Sequence, residues 1–189
     1  MNENHAVCGG EEWRAAVRDW IIPWALADGD LGDDVLEVGP GYGATTDVFR
    51  EQVAHLTAVE IDPVLARALA DRLAGTNVDV IEADATALAL GDNRFTGAVC
   101  FSMLHHVAPV DLQDRLFAEV ARVTRPGGLF VASDALRTDE LEAFHIGDTY
   151  LPIDPDSIGE RLERAGFGRV EVRTNKFGWA ASGRVTASR

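Results

Sequence analysis

A chain of 189 residues, 47% apolar and 25% charged, is long enough to bury the core of one domain, and its composition excludes a disordered or fibrous chain. The 31 acids against 17 Lys and Arg leave a formal charge of −14, with no basic stripe to replace the counterions of a polyanion, so charge alone predicts no nucleic-acid partner. No stretch approaches the ~20 apolar residues that span a bilayer, which predicts no membrane partner. The opening MNENHAVCGGEEW lacks the basic and apolar regions of a secretory leader, so a cytoplasmic protein is expected, with Cys8 and Cys100 as reduced thiols.

Residues 1–30 stand apart from the rest. From Glu11 to Ala27 the order Trp13, Val17, Trp20, Trp24 steps by four, three and four residues, which predicts one helical face, interrupted at Pro23. This extension is expected to pack on the body or to form a lid over a ligand. From residue 31 onward, short apolar runs at 34–39, 56–61, 78–83, 97–102, 128–133 and 169–174 alternate mostly with helical patterns. Ala44 to Ala54, Pro63 to Leu73 and Val110 to Val123 carry three- and four-residue apolar spacing, and the alternation predicts a doubly wound parallel α/β sheet. Asp154-Pro155 caps and opens a further helix, and Gly166 closes it. The runs RVEVRT and FGWAASGRV, joined across Asn175-Lys176, predict a terminal antiparallel pair, although the small residues of the last run leave its pairing open.

The string VLEVGPGYGATT (35–46) holds the first chemical signal. Glycines between a strand and a helix let a ligand approach the backbone and the helix N-terminus. Read as G-x-G-x-x-A, it fits a dinucleotide, with Glu60 placed 21 residues beyond Gly39; read from Glu37 as E-x-G-x-G-x-G, it fits a nucleoside without pyrophosphate. Glu37 favours the second reading, because a carboxylate beside the loop repels a pyrophosphate and attracts an ammonium or sulfonium group. Asp84 in EADAT, the Pro-Gly turn in RVTRPGG and the terminal antiparallel pair point the same way.

In order, VLEVGPGYG, LTAVEID, EADAT, FTGAVCFSMLHHV and RVTRPGGLFV resemble the class I S-adenosylmethionine-dependent methyltransferases, over roughly Asp33 to Arg173. The chain is also similar to small actinobacterial-type proteins of that class. The resemblance implies a seven-stranded, mostly parallel Rossmann-like sheet in the order 3-2-1-4-5-7-6, with strand 7 antiparallel, and S-adenosylmethionine as cofactor. It implies that Gly39, Gly41 and Gly43 pass beneath the methionine portion, with Glu37 near its amino group. Glu60 would accept from both ribose hydroxyls, a bidentate task suited to a carboxylate. Ile61 would pack on the adenine, Asp84 and Ala85 would meet its amino edge, and Phe101 and Ser102 would line the methionyl side.

In-line transfer needs alignment of the acceptor and exclusion of water, and a base only if the acceptor loses a proton. The candidates for catalysis are His105 and His106, after the fourth strand, and His145, in a loop where an acceptor could enter. Together with His5 they raise the question of a metal, but no tight ligand spacing supports one, so no metal is expected. No Asn/Asp-Pro-Pro-Tyr follows the fourth strand, where Phe101-Ser-Met-Leu stands, and no carboxylate of a magnesium-dependent catechol site is supplied there. With the charge, these absences predict a small-molecule acceptor, bound between the N-terminal helix and the loop from Ala135 to Pro152. Two other readings remain: a non-catalytic binding protein on the same fold, and a nicotinamide-dependent oxidoreductase.

Overall fold

The computed structural model describes residues 2–27 and 29–187 of the chain; residues 1 and 28, within the predicted 1–30 extension, and 188–189 lie outside the described residues. Seven strands form one sheet in the order β3-β2-β1-β4-β5-β7-β6: β1 Asp34–Val38, β2 His55–Glu60, β3 Val78–Glu82, β4 Phe95–Phe101, β5 Thr124–Ala135, β6 Phe167–Thr174 and β7 Gly178–Val185. Strands β1 to β5 pair in parallel, and β7 runs antiparallel to both β5 and β6. The expected order and the antiparallel seventh strand are both present. The small residues that left the last pairing open are what permit it: a Cβ on Gly178 would lie 2.6 Å from the carbonyl oxygen of Asp134 on β5.

Strand side chains alternate between two cores, as the period of two requires. Leu36, Ala98, Cys100, Phe130 and Ala132 face one side, where α5 (Val110–Val123) and α7 (Pro155–Ala165) pack through Leu116, Phe117, Val120, Ile158 and Leu162. Each such large apolar side chain contributes about 1.5–3 kcal/mol by leaving water. Arg161 is buried in this layer, held by Asp114 at 2.6 Å and Gln113 at 2.9 Å, a helix-to-helix tie that apolar periodicity does not reveal. Val35, Val99, Phe101 and Val131 face the other side, against α3 (Ala44–Phe49), α4 (Pro63–Arg72) and the N-terminal helices. The helix expected over 44–54 is therefore shorter, whereas α5 spans the expected residues.

The N-terminal segment departs most from its periodicity. A 3₁₀ turn, Glu3–Gly9, leads into α1 (Glu11–Ala16), a π turn (Val17–Ile21) and α2 (Ile22–Leu26). In the π turn the Ile22 N–H donates to Val17 O, five residues back, and Pro23, which has no N–H to give, begins the next turn. The extra residue rotates the stripe. Val17, Ile22 and Ala25 become buried, Trp13 and Trp24 pack partly, and Trp20 is 76% exposed. The predicted three-tryptophan face is thus broken at Trp20. Between β5 and α7, a short helix, α6, covers Asp139–Phe144.

Candidate functional site

The chain reverses direction across the sheet between β1 and β4, which opens a crevice at the carboxyl ends of β1, β2 and β4. The crevice holds a cleft of about 380 Å³ and, continuous with it, a deeper recess of about 210 Å³; Gly39, Glu60, Ile61, Met103 and His106 line both.

The loop after β1 forms the floor. Gly43 takes φ +81° as the residue before α3, and a Cβ there would strike Leu69 and Arg72 of α4, so this glycine serves the helix packing and lies outside the cleft lining. At Gly39 a Cβ would lie 2.6 Å from Met103, which fixes a close contact between the loops after β1 and β4. Gly41 differs: a Cβ there would meet nothing within 4 Å. Its surface faces open space in the cleft, where a side chain would occupy the volume of a ligand.

Glu60 closes β2 with only 6% of its surface exposed. Its carboxylate accepts the Gly41 N–H at 2.9 Å and the Asp62 N–H at 3.0 Å, which aims it into both compartments with lone pairs left for two further donors. Ile61 beside it is 65% exposed, an apolar lip onto which a flat base can stack. Asp84 and Ala85 line the inner recess; one Asp84 oxygen accepts the Thr86 N–H at 2.8 Å and the other carboxylate oxygen remains for an amine. Phe101 and Ser102 line the outer cleft, with Ser102 at φ +53°, an uncommon conformation for a side chain and one that clusters at binding sites.

Glu37 lies beneath this floor. It is 1% exposed, accepts from the Thr45 hydroxyl, and has a second oxygen buried without a hydrogen-bond partner. Burial pushes its carboxyl up to about 7, against the smaller opposing pull of Thr45 and Thr46. Thr45, not Glu37, lines the cleft. An orphaned acid under the floor, an open glycine, an oriented carboxylate at β2 and an apolar lip fit the cation, diol and base of S-adenosylmethionine.

The opposite wall is assembled from distant segments: Trp13, Val17 and Ile21 from the N-terminal helices, His5 and Cys8 from the 3₁₀ turn, and Asp148 and Thr149 from the loop after α6. Of the three predicted catalytic histidines, His106 lines the cleft, and burial, followed by the neighbouring His105 and His5, lowers it to about 4. His105 and His145 are buried behind it and line neither compartment. His105 Nδ1 sits 2.8 Å from both oxygens of Asp134 near the end of β5, and the His105 N–H also donates to that carboxylate. The structure brings all three histidines together and adds His5, with ring centroids 4.2–5.3 Å apart in five of the six pairs. The Asp134 partnership had no signal in the sequence, because 29 residues separate it from His105.

This crevice and sheet define a Rossmann-like nucleoside-binding domain with a terminal antiparallel strand. Residues 36–132 match the family model described as a methyltransferase domain, and the chain belongs to that family. S-adenosylmethionine is the cofactor of the class. Over 166 residues the chain is 34% identical to a tRNA1(Val) (adenine(37)-N6)-methyltransferase of Shewanella amazonensis, covering 82% of this chain and 70% of that protein. Over 58 residues it is 53% identical to a probable ribosomal RNA small subunit methyltransferase A of Methanothermobacter thermautotrophicus, covering 30% of this chain and 21% of that protein. An S-adenosylmethionine-dependent methyltransferase of Mesorhizobium loti shares the fold at a TM-score of 0.67 and 19% identity, over 82% of this chain and 92% of that one. The chain spans about a fifth of the length of the archaeal relative and about two thirds of the Shewanella one.

These relatives correct the expectation of no nucleic-acid partner. Net charge limits long-range attraction, but a local surface, or parts of a relative outside the matched region, can meet RNA against an acidic average. The missing Asn/Asp-Pro-Pro-Tyr is no safer a guide, since a relative named for adenine N6 methylation matches most of the chain. The expectation of no membrane span agrees with the helices: among the described residues, none is long and apolar enough to cross a bilayer.

Proposed function

We propose that the protein transfers a methyl group from S-adenosylmethionine to a small-molecule acceptor held against the apolar wall of the cleft. The observation that carries the reading is the open surface of Gly41 between the oriented Glu60 carboxylate and the wall of Trp13, Val17 and Ile21. When bound, S-adenosylmethionine supplies a methyl group on a positively charged sulfur, with a neutral thioether as leaving group. Glu60 accepts from the ribose hydroxyls, Ile61 backs the base, and Asp84 and Ala85 meet its amino edge. Gly39 and Gly41 run beneath the methionine portion. Glu37, reached through the Thr45 layer, would balance its ammonium, while Phe101 and Ser102 would line the methionyl side.

The chain's remaining task is to align the acceptor and exclude water, which favours an enclosed apolar wall over a strong base. Residues 2–27 and 29–30 serve as the lid in this reading, since Trp13, Val17 and Ile21 face the cleft while Trp20 faces solvent. Of the three candidate histidines, His106 borders the acceptor space through its ring, and His105 and His145 pack behind it. The relatives named for ribosomal and transfer RNA favour a second reading, a base of RNA as acceptor.

Incubation with methyl-labelled S-adenosylmethionine and a cell extract, split into ribonuclease-treated and untreated halves, separates the two. Label in the low-molecular-weight fraction of both halves is expected. Label confined to macromolecules and lost on ribonuclease treatment would transfer the assignment to RNA. No label in any fraction would leave a binding protein on the methyltransferase fold.

A further inference from the structure

We propose that His5, His105, His106 and His145 bind one divalent transition-metal ion of the zinc type, which clamps the N-terminal turn to the loops after β4 and α6. Four of the five histidines of the chain meet at this point, and one ring nitrogen from each lies within 4.8 Å of the other three. The site stands on this cluster and holds whichever acceptor the cleft takes.

The hydrogen bonds around the cluster orient the rings for a metal. Each Nδ1 has an oxygen acceptor: Asn2 Oδ1 at 2.9 Å for His5, the Asp134 carboxylate at 2.8 Å for His105, Thr149 O at 3.1 Å for His106 and Leu141 O at 2.6 Å for His145. The Asn2 oxygen is identified by its amide nitrogen, which donates to Phe144 O at 2.9 Å. Acceptors of this kind place the ring proton on Nδ1 and leave a lone pair on Nε2 in all four rings. Ligating histidines are held in this way, with the second nitrogen donating to a carboxylate or a carbonyl.

The same arrangement fits poorly with four neutral rings and nothing between them. Nε2 of His5 and Nε2 of His145 are buried and have no hydrogen-bond partner. With every Nδ1 proton already committed outward, these two nitrogens hold lone pairs that no donor meets. A cation satisfies all four at once. Two carboxylates flank the cluster: Asp134 is buried against His105, and Asp148 Oδ2 lies 3.6 Å from His5 Nδ1. Both add to the attraction for a positive ion.

The dimensions are compatible. Zinc–nitrogen bonds of ~2.0–2.1 Å in a tetrahedron need nitrogens about 3.3 Å apart, so separations of up to 4.8 Å close with an inward shift of at most about 0.9 Å per ring. Imidazole nitrogen suits zinc, copper and nickel, and four such ligands without a thiolate or carboxylate select this borderline group over magnesium or calcium. Sequence spacing hides the site, because His5, the His105-His106 pair and His145 come from three separate segments. An ion here would fix the wall of the cleft that His5 and His106 line.

The test uses tag-free full-length protein stripped with a chelator and titrated with Zn²⁺ against a chromophoric competitor, with Co²⁺ as the spectroscopic probe. One equivalent of tight Zn²⁺ and the intense visible bands of tetrahedral Co²⁺ are expected. His5→Ala and His145→Ala should each weaken binding by at least about 100-fold, while His55→Ala, at the histidine outside the cluster, should bind as the wild type does. Absence of stoichiometric binding overturns the proposal, and so does undiminished affinity in His5→Ala. If His145→Ala fails to fold, His5→Ala decides alone, since His5 is carried by a short turn outside the sheet.

Discussion

The two walls of the cleft are built differently. One wall, to which the cofactor is assigned by proposal, comes from three successive strand-to-loop units, Gly39–Thr45 after β1, Glu60-Ile61 at the end of β2 and Asp84-Ala85 after β3. Its residues are ordered by the sheet itself, and backbone N–H groups hold the central carboxylate in place. The opposite wall, proposed to face the acceptor, draws on the N-terminal turn and helices, the loop after β4 and the loop after α6, joined by side-chain contacts across more than a hundred residues of sequence. The first wall is preorganised by topology. The second depends on its own packing.

Substitutions on the two walls should therefore separate in effect. The largest effect is expected from Gly41→Val, which fills the open floor and forces a β-branched residue into φ +54°: titration with S-adenosylhomocysteine should show about 100-fold weaker binding, with the far-ultraviolet dichroism of the fold retained. Glu60→Ala removes the ribose acceptor and the partner of the Gly41 and Asp62 N–H groups, and should cost about 2 kcal/mol of cofactor binding, roughly 30-fold. Unchanged affinity in that variant would remove Glu60 from the site.

Glu37 gives a pH signature. Its folded pKa of about 7 lies above the ordinary 4.5, so the folded apoprotein keeps a proton that the unfolded chain releases between those values. Stability of the apoprotein should fall as pH rises through that window, by about 3 kcal/mol in all, and level off above it. A cofactor ammonium favours the ionised acid, so affinity for S-adenosylhomocysteine should rise about tenfold from pH 6 to pH 8. In Glu37→Gln both trends should flatten, as followed by thermal melts and titrations across pH. The smallest effects belong to the N-terminal helices. Trp13→Ala should weaken transfer to the acceptor a few-fold, measured as a rise in its KM, whereas Trp20→Ala should shift the melting temperature by no more than about 2 °C.

The same division explains what could be read from the sequence. The glycine loop, Glu37 in β1, Glu60 at the end of β2 and Asp84 after β3 are local patterns, the strand order follows from the family resemblance those patterns carry, and eight of the ten residues assigned to the cofactor line the crevice. Gly43 has its role in packing against Arg72 and Leu69, and Glu37 lies one layer below the lining, because a spacing pattern places a residue near a loop without saying which layer it occupies. The N-terminal stripe breaks at Trp20, since helical periodicity assumes 3.6 residues per turn and the π turn before Pro23 does not obey it. The four-histidine cluster and the His105–Asp134 pair are products of tertiary folding, and no spacing in the chain announces them. Nor does net charge reveal the acceptor, as the RNA-directed relatives make plain.

The central claim is that this crevice is a site for S-adenosylmethionine, and calorimetric titration of the wild-type chain with S-adenosylhomocysteine tests it most directly. The account predicts one site per chain, competed by S-adenosylmethionine and indifferent to NAD. Absence of heat with S-adenosylhomocysteine, with saturable binding of NAD in its place, would contradict it.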